Sequence, residues 1–365
     1  MRFHTIRLLS IQVLLVFAIV VVPLQRLHAD ETNTTEYREQ FFKLCDVAVL
    51  KVTNAESKGP FFVDSYAVRA LCVAYEMTGN QEYLHACRNW SERMVRYQEE
   101  MIPRGAYYMH YNRKPGETTN DWYAADSSSI GMAVLATSVR CKGAEQKRFV
   151  DSAKQFAGLV LENYVKPSGG ISDGLWAQSS DAWWCSSGIF GSFLFNLYSV
   201  TGDKHYLQAA FGVTDWLDKW EPTKDQPFPL AQQGPAMIFY VMENYSAGWP
   251  YIEKNQAINR AALAKVNWCL EWMSEQQSKS FADRQWPTTK GWGMKFGGLP
   301  FHVYIFSGYL PAGERLAIAG DAELQRLAAV VFAGKPEFNQ LSAFLMMAYA
   351  ERLAPGAIYR APHFR

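Results

Sequence analysis

The chain has 365 residues, with 36 Lys and Arg against 35 Asp and Glu, a formal net charge of +1. Balanced charge with no basic stripe or acidic face argues against nucleic acid as a partner. The six cysteines, Cys45, Cys72, Cys87, Cys141, Cys185 and Cys269, form no Cys-x-x-Cys pair and no zinc-ligand spacing, so no metal site is expected.

The first segment is a targeting signal. Arg7 precedes an apolar run from Leu8 to Leu24 that is broken only by Ser10 and Gln12, and small Ala29 stands before Asp30 and Glu31. A basic start, an apolar stretch and a small residue at the end describe a secretory signal peptide over residues 1–29. Cleavage after Ala29 would leave a single domain, residues 30–365, in the periplasm or outside the cell and free of the membrane. The length of the apolar run and bulky Leu27 keep an uncleaved N-terminal anchor as the alternative.

Helical periodicity then predicts twelve segments, near 36–53, 63–78, 81–99, 126–140, 144–164, 181–200, 204–219, 232–246, 254–278, 301–318, 321–333 and 337–352. Strand signals are scarce. Three phrases repeat at helix junctions: Thr78-Gly79-Asn80, Thr201-Gly202-Asp203 and Ala319-Gly320-Asp321. In each, Gly supplies a left-handed end for one helix and Asn or Asp caps the next, which makes a tight turn between antiparallel helices. Cys141-Lys142-Gly143-Ala144 is a looser fourth example. Cys72 and Cys87 lie equally far from the Gly79-Asn80 turn and are expected to face each other without a disulfide, because packed helix axes stand about 8–10 Å apart. Helical hairpins bury their apolar faces by stacking on one another. Twelve such helices predict an all-α fold, an (α/α)6 barrel or toroid of six hairpins; an open solenoid is the alternative.

The connections alternate between short and long. The long ones, 100–125, 165–180, 220–231 and 279–300, would emerge on one rim. That rim carries Tyr107, Tyr108, His110, Arg113, Trp122, Tyr123, Trp176, Trp183, Trp184, Trp286 and Trp292. Aromatic loops on a rigid scaffold suit the flat faces of sugar rings, so an oligosaccharide is the expected partner. His302 joins His110 as a rim histidine, each more simply a hydrogen-bonding residue than a base.

Three of the predicted inner helices open on an aspartate: Asp64-Ser65-Tyr66, Asp126-Ser127-Ser128 and Asp181-Ala182-Trp183. Asp is a favoured helix cap, stabilised as the anion by the helix dipole, and this accounts for any one of them. Three at equivalent positions after aromatic loops also fit a carboxylate acid–base centre, with pKa values pushed apart by burial. There is no Gly-x-Ser-x-Gly elbow and no His-Glu-x-x-His.

This arrangement resembles the six-hairpin glycosidases, and among them the unsaturated glucuronyl and rhamnogalacturonyl hydrolases. The resemblance rests on Asp64 with its helix to Tyr75-Glu76-Met77-Thr78-Gly79, on Asp126-Ser127-Ser128-Ser129, and on Val165 to Gly170 followed by Trp183-Trp184-Cys185-Ser186-Ser187-Gly188. It implies hydration of the double bond of an unsaturated uronic acid without a cofactor. Asp126 would protonate the double bond and then activate water, and Asp64 would orient the substrate. The chain departs from the family where Cys185-Ser186 replace an Arg-Gly pair and Gln232-Gln233 replace an Asp-Ser pair. A non-catalytic glycan-binding protein, a polysaccharide lyase and a sugar epimerase on the same scaffold are the other readings.

Overall fold

The computed structural model describes residues 35–57, 59–108, 122–174, 182–219, 238–252, 255, 260–261, 264–265, 324–325, 327–354 and 356–358. The expected signal peptide and the helices expected near 254–278 and 301–318 lie wholly or largely outside these residues. Among the described residues, no helix is long and apolar enough to cross a membrane.

Among the described residues the helices are α1 (35–53), α2 (Phe61–Thr78), α3 (Gln81–Glu99), α4 (Ala124–Ser138), α5 (Gly143–Asn163), α6 (Trp184–Thr201), α7 (Lys204–Asp218), α8 (Ile238–Ile252) and α9 (Gln340–Leu353), and further helical residues lie at 260–261, 264–265, 324–325 and 327–331. The short turns form as the Gly-Asn and Gly-Asp phrases predict. Gly79 and Gly202 adopt φ of 68° and 69°, and each N–H closes on the carbonyl four residues back at 2.7 Å. Asn80 and Asp203 then accept the N–H of Glu82 and His205, each at 3.0 Å, and start α3 and α7. The eighth helix departs from its expected range, 232–246. It runs through Pro250 to Ile252, because Trp249 and Ile252 are buried and hold the last turn in place.

Burial sorts the helices into two layers. α5 buries Phe149, Ser152, Ala153, Phe156, Ala157 and Val160, and α7 buries Ala210, Val213, Thr214 and Leu217. These are single stripes at i, i+3, i+4 spacing, the mark of an outer helix with one face to solvent. α2, by contrast, is buried at every position from Phe61 to Ala74, and α9 at every position from Ser342 to Glu351. A helix covered all round belongs inside. The inner helices pack in succession, α2 on α4, α4 on α6 and α6 on α8, and α9 returns to α2. The Tyr66 and Phe344 rings meet edge-on at 5.0 Å across that junction. Tyr349 of α9 donates to Gln40 of α1 and packs on Tyr37. The last helix therefore closes on the first hairpin, and the fold is a toroid, not an open solenoid.

Cys72 and Cys87 meet across the first hairpin as free thiols, with sulfurs 3.6 Å apart. α6 and α8 approach closely because glycine lines their contact. A Cβ on Gly188 would stand 2.5 Å from the Tyr240 carbonyl oxygen, and one on Gly248 would stand 2.4 Å from the Phe195 ring. Backbone cannot yield as a side-chain end can. Gly188→Ala is therefore expected to lower stability by about 1–3 kcal/mol, seen as a lower denaturation midpoint with an unchanged slope.

Candidate active site

Asp126 lies half-buried in the first turn of α4. The N-cap of that helix is Tyr123, so Asp126 does not hold the cap position itself. One turn deeper, Ser129 Oγ is 2.7 Å from Ser65 Oγ of α2. Deeper still, a polar layer crosses the ring. Arg69 of α2 forms an ion pair with Glu243 of α8 at 2.8 Å. Tyr66 donates to the same carboxylate at 3.3 Å, and the Arg69 guanidinium lies 4.5 Å over the Tyr66 ring. Arg69 also reaches Ser129 at 3.5 Å and the Met132 sulfur at 3.7 Å, and Asn196 of α6 donates to that sulfur at 3.5 Å. All of these side chains are buried. They form a floor beneath the end of the ring where Asp126 stands.

Asp64 is not part of this lumen group. It is fully buried in the first turn of α2, on the stripe that Phe61, Val68 and Cys72 turn toward the outer helices. Val68 and Cys72 both meet Cys87 of α3, and Phe61 packs on Tyr97 and Tyr108. The charges acting on Asp64 are Lys51 of α1 and Arg93 of α3, and Trp90 of α3 lies close enough to favour the anion without completing a good hydrogen bond. Ser65, Tyr66 and Arg69 occupy the lumen stripe instead. The expected convergence of Asp64 with Asp126 on one basin is thus corrected: about 100° of helix rotation per residue separates adjacent positions.

The lumen end instead gains Asp173, an aspartate whose Asp-Gly setting in the sequence reads as an ordinary turn. Its carbonyl accepts the Ala124 N–H at 3.0 Å, and Tyr123 bridges to Gly174. On the other side, Trp183 donates to the Ile171 carbonyl at 2.7 Å, and the Ile171 N–H donates to Ser187 Oγ at 2.8 Å. Residues 171–174 thus tie the start of α4 to the start of α6. The Asp173 carboxyl is only 7% exposed and, among the described residues, takes one bond, from Ser186 Oγ at 3.5 Å. Burial pushes its pKa up to about 6, against a small downward pull from Ser186. Among the described residues, no group of three or more His, Cys, Asp or Glu side chains could hold a metal ion.

No protein-family model and no curated protein sequence matches the chain. Solved structures do. An unsaturated glucuronyl hydrolase from Streptococcus agalactiae superposes with a TM-score of 0.62 at 12% identity, over 88% of this chain and 92% of its own. One from a Bacillus species gives 0.59 at 12% identity, over 87% and 98%. An α-1,6-mannanase from a Salegentibacter species gives 0.57 at 15% identity, over 87% and 99%.

The chain has the (α/α)6-barrel fold of six helical hairpins.

Within this six-hairpin fold, the expected aromatic rim divides. Tyr108 and Trp122 are each 1% exposed and belong to the core. Tyr108 stands edge-on to Tyr97 at 5.5 Å, and Trp122 edge-on to Tyr164 at 4.9 Å. Gly174, at φ 95°, lies against the Trp122 ring, where a Cβ would come within 3.1 Å. These two rings support the loops and offer no open face for a sugar, which corrects their expected substrate-binding role. Trp183 and Trp184 are half-buried where α6 begins, and Trp184 packs on Trp216 at 4.3 Å. His110, Arg113, Trp176, Asp181, Trp292 and His302 lie outside the described residues.

The position of Asp64 has a consequence for stability. Burial raises its pKa to about 6, with Lys51, Arg93 and Trp90 pulling weakly the other way, whereas an unfolded Asp titrates near ~3.9. Below about pH 4 the group is protonated in both states and costs nothing. Between about pH 4 and 6 the unfolded chain ionises first, so stability falls, and above that window the penalty is constant. Asp64→Asn is therefore expected to remove this pH dependence. Relative to wild type it should gain on the order of 1–3 kcal/mol between pH 4 and pH 7.5, measured by denaturant unfolding at both values.

Proposed function

We propose that the protein is an exported carbohydrate-active enzyme that hydrates or hydrolyses oligosaccharides ending in an unsaturated uronic acid, with Asp126 as its acid. The reading is carried by Asp126 itself, a half-buried carboxylate on the first turn of an inner helix, above a closed polar floor in the six-hairpin fold. In hydration, Asp126 gives its proton to one carbon of the ring double bond. Water adds to the other carbon and passes a proton to a carboxylate. The resulting hydroxyl sits where the ring opens and the glycosidic bond is lost. A proton supplied by a positioned carboxyl contributes about 10²–10⁴-fold to such a step. No cofactor takes part.

Two neighbours bracket the chemistry. The mannanase is inactive when two consecutive aspartates are replaced together, and it binds α-1,6-mannotriose in that form. This sequence contains no two consecutive aspartates anywhere. A glucuronyl hydrolase carrying a single Asp-to-Asn change is seen with dGlcA-GalNAc6S. An aspartate at the start of an inner helix with no second aspartate next to it in sequence fits the second chemistry better than the first.

Turnover is expected with unsaturated uronyl disaccharides, followed as loss of absorbance by the conjugated double bond, and not with α-1,6-mannooligosaccharides. Asp126→Asn is expected to lower kcat by about 100-fold or more while leaving the melting temperature within a degree or two. A variant that keeps its activity but loses about 1 kcal/mol of stability would show that Asp126 only supports its helix. Binding of saturated glycans without any turnover would instead identify a lectin-like protein.

A further inference from the structure

The proton released by the adding water needs an acceptor, and the fold supplies one beside Asp126. We propose that Asp173 is the second carboxylate of the reaction centre and takes this proton, leaving Asp126 to deliver the first. The inference rests on the uronyl hydratase reading above and assigns a base that the reading leaves open.

Placement is the first argument. The Asp173 carbonyl is bonded to the N–H of Ala124, two residues before Asp126 on the same chain segment, and its carboxyl is bonded to Ser186 in the first turn of α6. The side chain therefore stands where two adjacent inner helices begin, on the same end of the ring as Asp126. Among the described residues and the immediate sequence neighbours of Asp126, two other sources of a second carboxylate fall away. Asp64 faces α1 and α3, and no aspartate is adjacent to Asp126 in the sequence.

The surroundings are the second argument. A carboxyl that only shapes a turn is usually solvated, capping or paired with a cation. Asp173 is 7% exposed, and among the described residues its only side-chain bond is the 3.5 Å contact from Ser186. Burying an acid with so little compensation costs stability, and such sites concentrate where the chemistry uses them. Its backbone is fixed as well. Gly174 at φ 95° is pressed on Trp122, and the Tyr123–Gly174 bridge holds the segment against α4. The carboxyl is thus presented from a rigid strand-like piece, as a base aimed at one water must be.

The proton count closes. Asp126 loses a proton to the double bond as the new C–H bond forms. Water forms the new C–O bond and loses its proton to the Asp173 carboxylate. Asp173 then releases that proton to solvent, and Asp126 regains one from it.

The test is steady-state kinetics on an unsaturated uronyl disaccharide. Asp173→Asn is expected to lower kcat by about 100-fold or more with little change in KM, and added formate should restore part of the loss by replacing the missing base. Ser186→Ala removes a bond that favours the Asp173 anion, so the acidic limb of the kcat/KM profile should move to higher pH. Wild type that turns over while Asp173→Asn keeps its kcat would overturn this assignment alone. Wild type silent on the whole panel would overturn both this inference and the reading beneath it. If Asp173→Asn does not fold, the Ser186→Ala profile decides: an unmoved acidic limb excludes Asp173 as the base.

Discussion

A buried ion pair sets the terms of this structure. Arg69 and Glu243 belong to inner helices far apart in sequence, and they meet at 2.8 Å with both side chains closed off from water. Two charges are removed from solvent at a cost that only good geometry and further bonds offset. Tyr66 and Ser129 provide those bonds, and the Tyr66 ring faces the guanidinium. Satisfying the pair therefore requires α2, α4 and α8 to sit at fixed distances from one another. Loss of either partner would strand a buried charge, which is a far larger penalty than the loss of an ordinary core contact. The same layer takes in Asn196 of α6 through the Met132 sulfur, so four inner helices share one polar registration point.

The glycine contact between α6 and α8 follows from this. Glu243 can reach Arg69 only if α8 is drawn in, and Gly188, Gly191 and Gly248 remove the side chains that would hold it off. Outside this tight inner ring the packing is conventional. Single apolar stripes on α5 and α7 cover the inner helices, and the aromatic network of Phe156, Phe190, Phe193 and Trp122 fills the space between layers. Rigidity at the centre and apolar packing around it leave the starts of the inner helices as the place where polar side chains can stand half-exposed.

Much of this was legible in the sequence because it depends on local rules. A left-handed Gly followed by Asn or Asp marks a helix turn wherever it occurs, and Gly79-Asn80 and Gly202-Asp203 form as read. Single-stripe helices announce which face is inward. The inner helices do not. α2 is buried on every side and carries polar residues on more than one stripe, so nothing in its periodicity separates the stripe of Asp64 from that of Tyr66 and Arg69, and the phase is settled only by what packs on each face. Loop aromatics misled for a related reason. Whether Trp122 lines a rim or plugs the core depends on Gly174 and Tyr164, residues some 40 or more positions away. Asp173 was hidden by its own grammar, since Asp-Gly between helices is a familiar turn signature.

The floor of polar side chains has a kinetic meaning. Tyr66, Arg69, Met132 and Glu243 are buried across the axis, so the described inner helices are closed at this floor. On the proposed function, a sugar chain would not be fed past this floor. Turnover would then be distributive, one bond for each visit, with leaving groups and newcomers sharing one entrance.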